Sequence, residues 1–474
     1  MTHHTTHPEK ARQDAQGRTG GHPQHGTRKF WTHQTDMFQY TGTTDHPALF
    51  VEMRLGKCLV VIRRVQTYPA GRVLVVAPNS AIPSWLDELE QEGEDAVWVR
   101  GTKIRRLRAL ASRHRWYVLN PEAHRGLPQL ARFTWVAVVL DESTFIKNPR
   151  AKVTQFYCRW FRTVPHRWIL TGTPAPERDW DVFCQFQFLD GGAFGVRNFW
   201  QFRCKYYHPP MNQGEFDWVP NPGTKRMISE GVQRRAFVLR RRDAGVEPHT
   251  VRERRTLDFP PELRQSYAKT ERDFVLEHAG QRIDSTMWAT QRFLWLRRMC
   301  GGFIGDRLVW DGKFTELEAL VTGELAHDSV VVWFQFIQEL EEACHRLLNL
   351  GVNVTTLYGA HSPEVRRQIF KAFQDRKIRV LCLQHQVAQT GANLSAADTA
   401  IYFSSPLGLL GRKQTEDRIL NLNKVSSLLY LDLCVTDTVE TDFLCALRAK
   451  GLRSAMMLHL HLWQSMGGRH CEAV

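Results

Sequence analysis

The chain has 474 residues, of which 43% are hydrophobic and 24% charged, a composition typical of a globular protein with two or three domains. No run of 18 apolar residues predicts a membrane span, and the ten cysteines include no C-x-x-C pair, which argues against a structural zinc site or a disulfide framework and fits a reducing compartment. The formal net charge of +14 favours a polyanionic partner, most often nucleic acid, and the alternative is a protein that is merely basic.

Residues 1–29 are polar, basic and rich in histidine, and they lack the apolar stretch of a secretory signal. We expect a disordered tail there rather than a metal site built from its histidines. The first ordered lobe is therefore expected to begin at residue 30.

Short apolar runs alternate with helical patterns in the first half of the chain. Near-continuous Val, Ile and Leu runs predict strands buried on both faces, as in a parallel sheet, and the alternation predicts right-handed βαβ units. The predicted strands cover residues 48–53, 72–78, 116–120, 135–142 and 167–173, and helical patterns cover 83–93 and 103–114.

The second half repeats this alternation, and Ser362 followed by Pro363 predicts the N-cap and first position of a helix. Between about residues 190 and 320 the alternation stops, and aromatic and basic residues dominate. The strands predicted in this half are 329–336, 353–359, 378–384, 398–404 and 428–435. The domains are therefore expected to be an N-terminal lobe over 30–250, a helical linker or protrusion over 251–320 and a C-terminal lobe over 321–474.

Ligands of parallel sheets bind outside the carboxyl ends of the strands, and Gly56 and Lys57 follow the first predicted strand. Glycine lets the backbone approach a phosphate, and lysine supplies a positive charge. The strict P-loop pattern fails twice, because Val51 replaces its first glycine and Cys58 replaces its Ser or Thr. The residues alone leave open a phosphate-binding turn or an ordinary strand–turn–helix.

Acidic and hydroxyl residues follow two further strands. Asp141 and Glu142 end a buried strand, where Asp141 is placed to bind magnesium and Glu142 to orient and deprotonate a water molecule. The alternative is a helix cap at a strand end. Thr171, Gly172 and Thr173 follow the next strand, as a link to a moving lobe or as an ordinary β–α turn.

These segments, in this order, resemble the helicase-like ATPases of superfamily two, and within them the Swi/Snf-type DNA translocases, especially the short forms of phages and bacteria. The resemblance covers about residues 30–440, and its most specific part is the stretch LDESTFIKNPRAK. The other segments that carry it include EMRLGKC, VVAPNSAIPSWLDEL, LTGTPAPERDWDVF, QTGANLSAADTAIYFSSP and QTEDRILNLNK.

The resemblance implies two tandem RecA-like parallel-sheet lobes with a P-loop-type site for ATP and Mg2+ in the cleft between them. The ATP-binding residues it implies are Gln34, which would read adenine, with Arg54, Leu55, Gly56, Lys57, Cys58, Gln414 and Arg418. The catalytic residues would be Lys57, Asp141, Glu142 and Arg418, the metal ligands Asp141 and, weakly, Cys58, and the coupling residues Thr171, Gly172, Thr173, Gly391 and Asn393.

Two kinds of residue are candidates for contacts with nucleic acid. Polar residues in turns after strands can touch the sugar–phosphate backbone, and arginines in the run 103–115 can neutralise phosphates, unless that run is a solvated helix face. A second basic run over 234–242 is expected to be partly structural. The predicted contacts are Asn79, Ser80, Asn120, Thr390, Arg105 and Arg106.

Two departures from the family pattern predict weak hydrolysis. A thiol at Cys58 is a poor ligand for magnesium, which prefers oxygen. Asn421 stands where a second arginine is usual, so that Arg418 or Lys424 would have to stabilise the transition state.

Three functions follow from these observations. The first is an ATP-dependent translocase on double-stranded DNA, the second a nucleotide-gated DNA clamp with little hydrolysis, and the third, disfavoured by the stretches IKNP and LTGTPAP, an RNA helicase. We expect a monomer in the cytoplasm of a bacterium or a phage-infected host cell, with protein partners from DNA replication, recombination or repair.

Overall fold

The structure is a computed structural model that describes residues 28–191, 194–209, 218–273, 275–278, 281–285, 289–390, 393–420 and 427–447. The described chain divides into two compact units, unit 1 up to Glu247 and unit 2 from Pro248 onward. The expected tail lies outside the described residues up to position 27. Arg28, which was assigned to that tail, donates to Glu88 at 2.7 Å and so belongs to unit 1.

Unit 1 is built on a parallel sheet whose strands, within the described residues, lie in the order β3-β4-β2-β5-β6-β1-β9, with a separate antiparallel pair β7-β8. The strands are β1 Ala48–Val51, β2 Arg72–Val76, β3 Ala96–Trp98, β4 Trp116–Leu119, β5 Trp135–Asp141, β6 His166–Leu170, β7 Tyr207–His208, β8 Val219–Pro220 and β9 Phe237–Leu239. The helices are α1 Thr32–Thr41, α2 Lys57–Gln66, α3 Ile82–Gln91, α4 Lys103–Ala111, α5 Lys152–Trp160, α6 Phe183–Asp190, α7 Phe199–Tyr206 and α8 Thr224–Gln233.

Both faces of this sheet are buried, as the apolar runs predicted. Along β2, Leu74 and Val76 join one layer of the core, whereas Val73 and Val75 join the other. The side chains of a strand alternate between faces, so a strand covered on both sides needs apolar residues throughout. Trp85, on α3, is fully buried in the second of these layers.

Unit 2 contains a second parallel sheet, with the strand order β10-β19-β18-β15-β17-β16, and two antiparallel hairpins, β11-β12 and β13-β14. The strands are β10 Thr250–Leu257, β11 Val275–His278, β12 Gln281–Ser285, β13 Phe303–Ile304, β14 Arg307–Leu308, β15 Val330–Phe334, β16 Val354–Leu357, β17 Val380–Gln384, β18 Thr399–Tyr402 and β19 Leu428–Val435. The helices are α9 Pro261–Asp273, α10 Ala289–Cys300, α11 Gly312–Thr322, α12 Ile337–Asn349, α13 Pro363–Gln374 and α14 Leu409–Ile419. Helix α13 begins as predicted, since Ser362 Oγ accepts the Val365 N–H at 3.3 Å.

The segment 251–320 differs from the helical linker expected of it. Its first strand, β10, pairs with β19 from Thr250↔Leu428 to Leu257↔Val435 and forms the edge of the second sheet. Arg252, Arg254 and Arg255 make β10 polar in sequence, so the apolar pattern does not reveal it; an edge strand with a solvated face need not be apolar. Within the described residues, every helix is too short or too polar to span a lipid bilayer.

A buried ion pair ties the helices of unit 2 to its sheet. Lys313 Nζ, on α11, donates to Glu440 at 2.7 and 2.8 Å and to the Phe403 carbonyl at 2.9 Å. Burial alone would lower the pKa of Lys313, but the Glu440 carboxylate outweighs it and raises the pKa, so the lysine stays charged. The pair therefore fixes the start of α11 against the ends of β18 and β19.

Candidate nucleotide site

The turn between β1 and α2 has the backbone of a phosphate-binding loop. Gly56 lies in the left-handed region at φ 73°, Arg54 does so at φ 68°, and α2 begins at Lys57. No side chain caps this helix at Gly56, so the N–H groups of its first turn point at the space beside the turn. Such a helix N-terminus favours an anion, phosphate above all.

Gly56 is required there for a second reason, its contact with Gln34. A Cβ added to Gly56 would lie 1.9 Å from Gln34 Nε2. Gln34 is buried and held in place, because its Oε1 accepts the Trp31 N–H at 2.9 Å while its Nε2 donates to the Gly56 carbonyl at 3.4 Å. The structure thus brings Gln34 to the turn; its role toward adenine stays a prediction.

The Lys57 side chain lies back across the turn. Its Nζ donates to the Val51 carbonyl at 2.5 Å, an acceptor that a phosphate oxygen can replace. Leu55 is buried beneath the turn, while the Arg54 side chain is exposed. The lysine therefore sits where a charge for a phosphate group is needed.

The Asp141 carboxylate is held from two sides at the end of β5. Its Oδ2 accepts the Trp85 indole N–H at 2.8 Å, and its Oδ1 accepts the Glu142 N–H at 3.0 Å. Asp141 is 7% exposed. Glu142 takes a left-handed conformation at φ 50°, which turns the chain out of the strand.

The loop after β6 contacts both neighbouring loops. Thr171 Oγ1 donates to Glu142 Oε2 at 3.2 Å and accepts the Thr173 N–H at 3.1 Å. A Cβ on Gly172 would lie 3.4 Å from the Glu52 Cα, an ordinary van der Waals distance, so this loop lies directly against the phosphate-binding turn. Because β5, β6 and β1 are neighbours in the sheet, the three predicted segments meet at one edge.

Sequence reasoning missed the residues that brace these loops. Gln185, on α6, accepts from Ser143 Oγ at 2.7 Å and donates to the Pro174 carbonyl at 2.7 Å, joining the loops after β5 and β6.

Glu52 accepts the Arg241 N–H at 3.0 Å, so part of the basic run 234–242 is structural, as expected. Nothing in the local sequence signals contacts between residues this far apart.

The residues of unit 1 fit a magnesium ion at Asp141 but not at Cys58. Carboxylate oxygens suit this hard cation. Burial, and then the charge of Asp141, raise the pKa of the Cys58 thiol well above its usual value, so it stays protonated and offers only a neutral sulfur. Among the described residues, no group of three or more His, Cys, Asp or Glu side chains could hold a metal ion.

The predicted nucleic-acid contacts of unit 1 lie beside the same edge. Asn79 is exposed after β2, and Asn120 follows β4 at the start of a 3-10 turn. Ser80 is half-buried. On α4, Arg105 is exposed, whereas Arg106 donates through Nε to the Gly101 carbonyl at 2.9 Å.

In unit 2, the predicted residues that the structure describes lie on α14 and in the loop before β18. Gln414 and Arg418 lie one turn apart on α14, and the Arg418 carbonyl accepts the Leu394 N–H at 3.0 Å, next to the exposed Asn393. Gly391, Asn421, Lys424 and the side chain of Thr390 lie outside the part of the chain that the structure describes.

Arg412 anchors α14 and was not singled out by the sequence. It donates to Asp432 at 2.5 and 3.0 Å and lies 3.4 Å over the Tyr402 ring. Burial would raise the pKa of Glu416, but Arg252 and Arg412 outweigh it and lower the pKa to about 2. These fixed charges hold the helix that carries Gln414 and Arg418.

The two parallel sheets, with a glycine–lysine turn after β1 and an acidic pair at the end of β5, on either side of β6, define a nucleotide-binding protein with RecA-like units. Residues 44–300 match the SNF2-related domain, and residues 312–423 match the helicase conserved C-terminal domain. The chain belongs to the SNF2-related family of helicase-like proteins.

Several relatives and one solved structure are similar to the chain. The putative ATP-dependent helicase/translocase YwqA of Bacillus subtilis (strain 168) is 24% identical over 445 residues, 87% of this chain and 46% of that protein. The ATP-dependent DNA helicase DDM1 of Arabidopsis thaliana is 22% identical over 443 residues, 83% of this chain and 56% of that protein. The Sulfolobus solfataricus SWI2/SNF2 ATPase core in complex with dsDNA aligns with 17% identity and a TM-score of 0.43, covering 90% of this chain and 93% of that one. The chain thus spans about half the length of these two curated relatives.

Replacing Gly56 by alanine should weaken nucleotide binding at least about tenfold, because the new Cβ displaces Gln34 and strains a left-handed backbone by about 1–3 kcal/mol. Gly126→Ala is the control, since a Cβ there meets nothing within 4 Å. Calorimetric titration with ADP measures the affinity, and equal affinities of the two variants would contradict the assigned turn.

Proposed function

We propose that the chain is an ATP-dependent translocase of double-stranded DNA. The observation that carries the proposal is the meeting of Lys57, Asp141 and Glu142 at the carboxyl ends of β1 and β5, the two strands that flank β6, whose following loop contacts Glu142 through Thr171. A positive charge, a metal-binding carboxylate and a general base are the groups that phosphoryl transfer to water requires.

Different residues of unit 1 are proposed to bind different parts of ATP. The turn at Gly56 and the Lys57 ammonium bind the phosphates, and Gln34 borders the turn on the side where a base would lie. Asp141 would hold Mg2+, which when bound would neutralise phosphate charge. The hydrogen bond between Gln185 and Ser143 holds the loop after β5 in place beside the loop after β6.

Glu142 is the proposed general base. The hydrogen bond from Thr171 to its Oε2 fixes the carboxylate at the mouth of the site, so that it can accept a proton from an attacking water. The same bond connects the base to the loop assigned to coupling, which supports a link between hydrolysis and movement. In unit 2, Gln414 and Arg418 are the residues proposed to make hydrolysis depend on both units.

DNA is proposed to contact the loops after β2 and β4 together with α4. Asn79 and Asn120 follow neighbouring strands, and Arg105 is exposed nearby in the chain. Backbone contacts of this kind are independent of base sequence and weaken as salt rises. The similarity to DDM1, an ATP-dependent DNA helicase, supports this choice of polymer.

The second candidate is a nucleotide-gated DNA clamp with little hydrolysis. The observation that favours it is Cys58, a thiol in place of a magnesium-binding hydroxyl, and burial raises the pKa of this thiol further. We further propose that the protein is a monomer with protein partners in DNA replication, recombination or repair. We also propose that it is cytoplasmic, because the nine free cysteines among the described residues fit a reducing compartment.

These functions are separated by measuring the rate of ATP hydrolysis under four conditions: without polymer, with duplex DNA, with single-stranded DNA and with duplex RNA. The translocase should hydrolyse ATP faster by about tenfold or more with duplex DNA and respond little to duplex RNA. Slow turnover with tight binding of ATP and DNA would favour the clamp. The absence of nucleotide binding would contradict the translocase and the clamp alike.

Threonine at position 58 should raise turnover several-fold, because its hydroxyl supplies the oxygen ligand that a protonated thiol lacks. The steady-state kcat of Cys58→Thr with saturating ATP, Mg2+ and duplex DNA checks this. Cys58→Ala is the matched control and should show no rise. If the Thr and Ala variants had the same kcat, the metal argument at this position would be wrong.

A further inference from the structure

The indole of Trp85 makes a contact that packing alone does not explain. Trp85 lies on α3 and is fully buried, and its Nε1 donates to Asp141 Oδ2 at 2.8 Å. An indole N–H is a donor only, and burial requires that it find an acceptor. The acceptor here is the one carboxylate of this edge that the proposed function assigns to magnesium.

The position of the indole follows from the sheet. Helix α3 starts after β2, and β2 pairs with β5 along its length, so α3 passes beside the end of β5. The Trp85 ring packs in the core layer that contains Val75 and Val139, on the same two strands. The ring is therefore held rigidly, and its N–H points in a fixed direction.

This rigid donor fixes the orientation of the Asp141 carboxylate. Oδ2 accepts from Trp85 and Oδ1 accepts from the Glu142 backbone, so rotation of the carboxylate would break two hydrogen bonds. Each oxygen retains a further lone pair for a cation. Partners that orient a metal ligand typically change metal affinity or activity by about 10–100-fold when removed.

We propose that Trp85 is a positioning residue for magnesium, holding Asp141 in the orientation that binds the ion; this rests on the proposed ATP site. The residue acts through Asp141 and touches neither nucleotide nor metal. Its replacement should therefore change the dependence on magnesium and leave the affinity for metal-free nucleotide unchanged.

Trp116 supplies a matched control within the same sheet. It is also fully buried, and its Nε1 also donates to a carboxylate, Glu94 Oε2, at 2.6 Å. Trp116 begins β4, at the opposite end of the strands from Asp141. A loss common to both variants would therefore reflect packing, and a loss confined to Trp85 would reflect the metal site.

The test measures ADP affinity by calorimetry, in excess Mg2+ and in EDTA, for the wild type, Trp85→Phe and Trp116→Phe. For Trp85→Phe we expect the magnesium-dependent gain in affinity to fall about tenfold or more, with the EDTA value unchanged. The Mg2+ concentration for half-maximal ATP hydrolysis should rise by a similar factor. Both values should stay within about twofold of wild type in Trp116→Phe.

A Trp85→Phe variant with an unaltered gain from magnesium would overturn the inference, as would a wild type whose ADP affinity is the same with and without the ion. If Trp85→Phe does not fold, replacement of Trp85 by 3-benzothienylalanine removes the N–H and keeps the ring, and the same outcomes apply. A wild type that binds Mg·ADP but hydrolyses no ATP would contradict the proposed function and leave the role of Trp85 supported by its calorimetric result.

Discussion

The parallel pairing of β5, β6 and β1 is the constraint on which the chemistry of unit 1 depends. It brings three loops from distant parts of the sequence to one edge, and two small contacts then hold them in register. Thr171 donates to Glu142, and the loop packs against Glu52 at Gly172. Because each loop follows a buried strand of the central sheet, the site rests on regular secondary structure rather than on loops alone.

Much of this arrangement could be predicted from the sequence. Continuous apolar runs fixed the expected positions of β1, β2, β4, β5 and β6, since a strand covered on both faces has few polar residues. Ser362 marked the start of α13 through its capping chemistry. The parallel topology then placed Gly56, Asp141 and Thr171 at strand ends, because ligand sites of such sheets lie there.

The rest depends on partners far away in the chain, which local patterns do not encode. Strand β10 reads as a polar, basic segment and becomes a strand only by pairing with β19, so the expected helical linker begins instead with a sheet edge. Likewise, the bond from Trp85 to Asp141 joins two residues whose local sequences each suggest something simpler, a core tryptophan and a strand-end acid. The bracing role of Gln185 also becomes visible only in three dimensions. Cys58 is different: the sequence shows the substitution, and the structure adds that its buried thiol stays protonated.

The proposed site depends on the Lys57 ammonium as a phosphate-binding group. In this structure the ammonium donates to the Val51 carbonyl. The most direct measurement compares ATP hydrolysis in the presence of duplex DNA for the wild type and Lys57→Ala, with the exposed Lys152→Ala as control. Removing a charge that stabilises the transferring phosphoryl group should lower kcat by about 100-fold or more, with Lys152→Ala unchanged. A Lys57→Ala protein that hydrolyses ATP at the wild-type rate would show that the turn after β1 is not the catalytic nucleotide site.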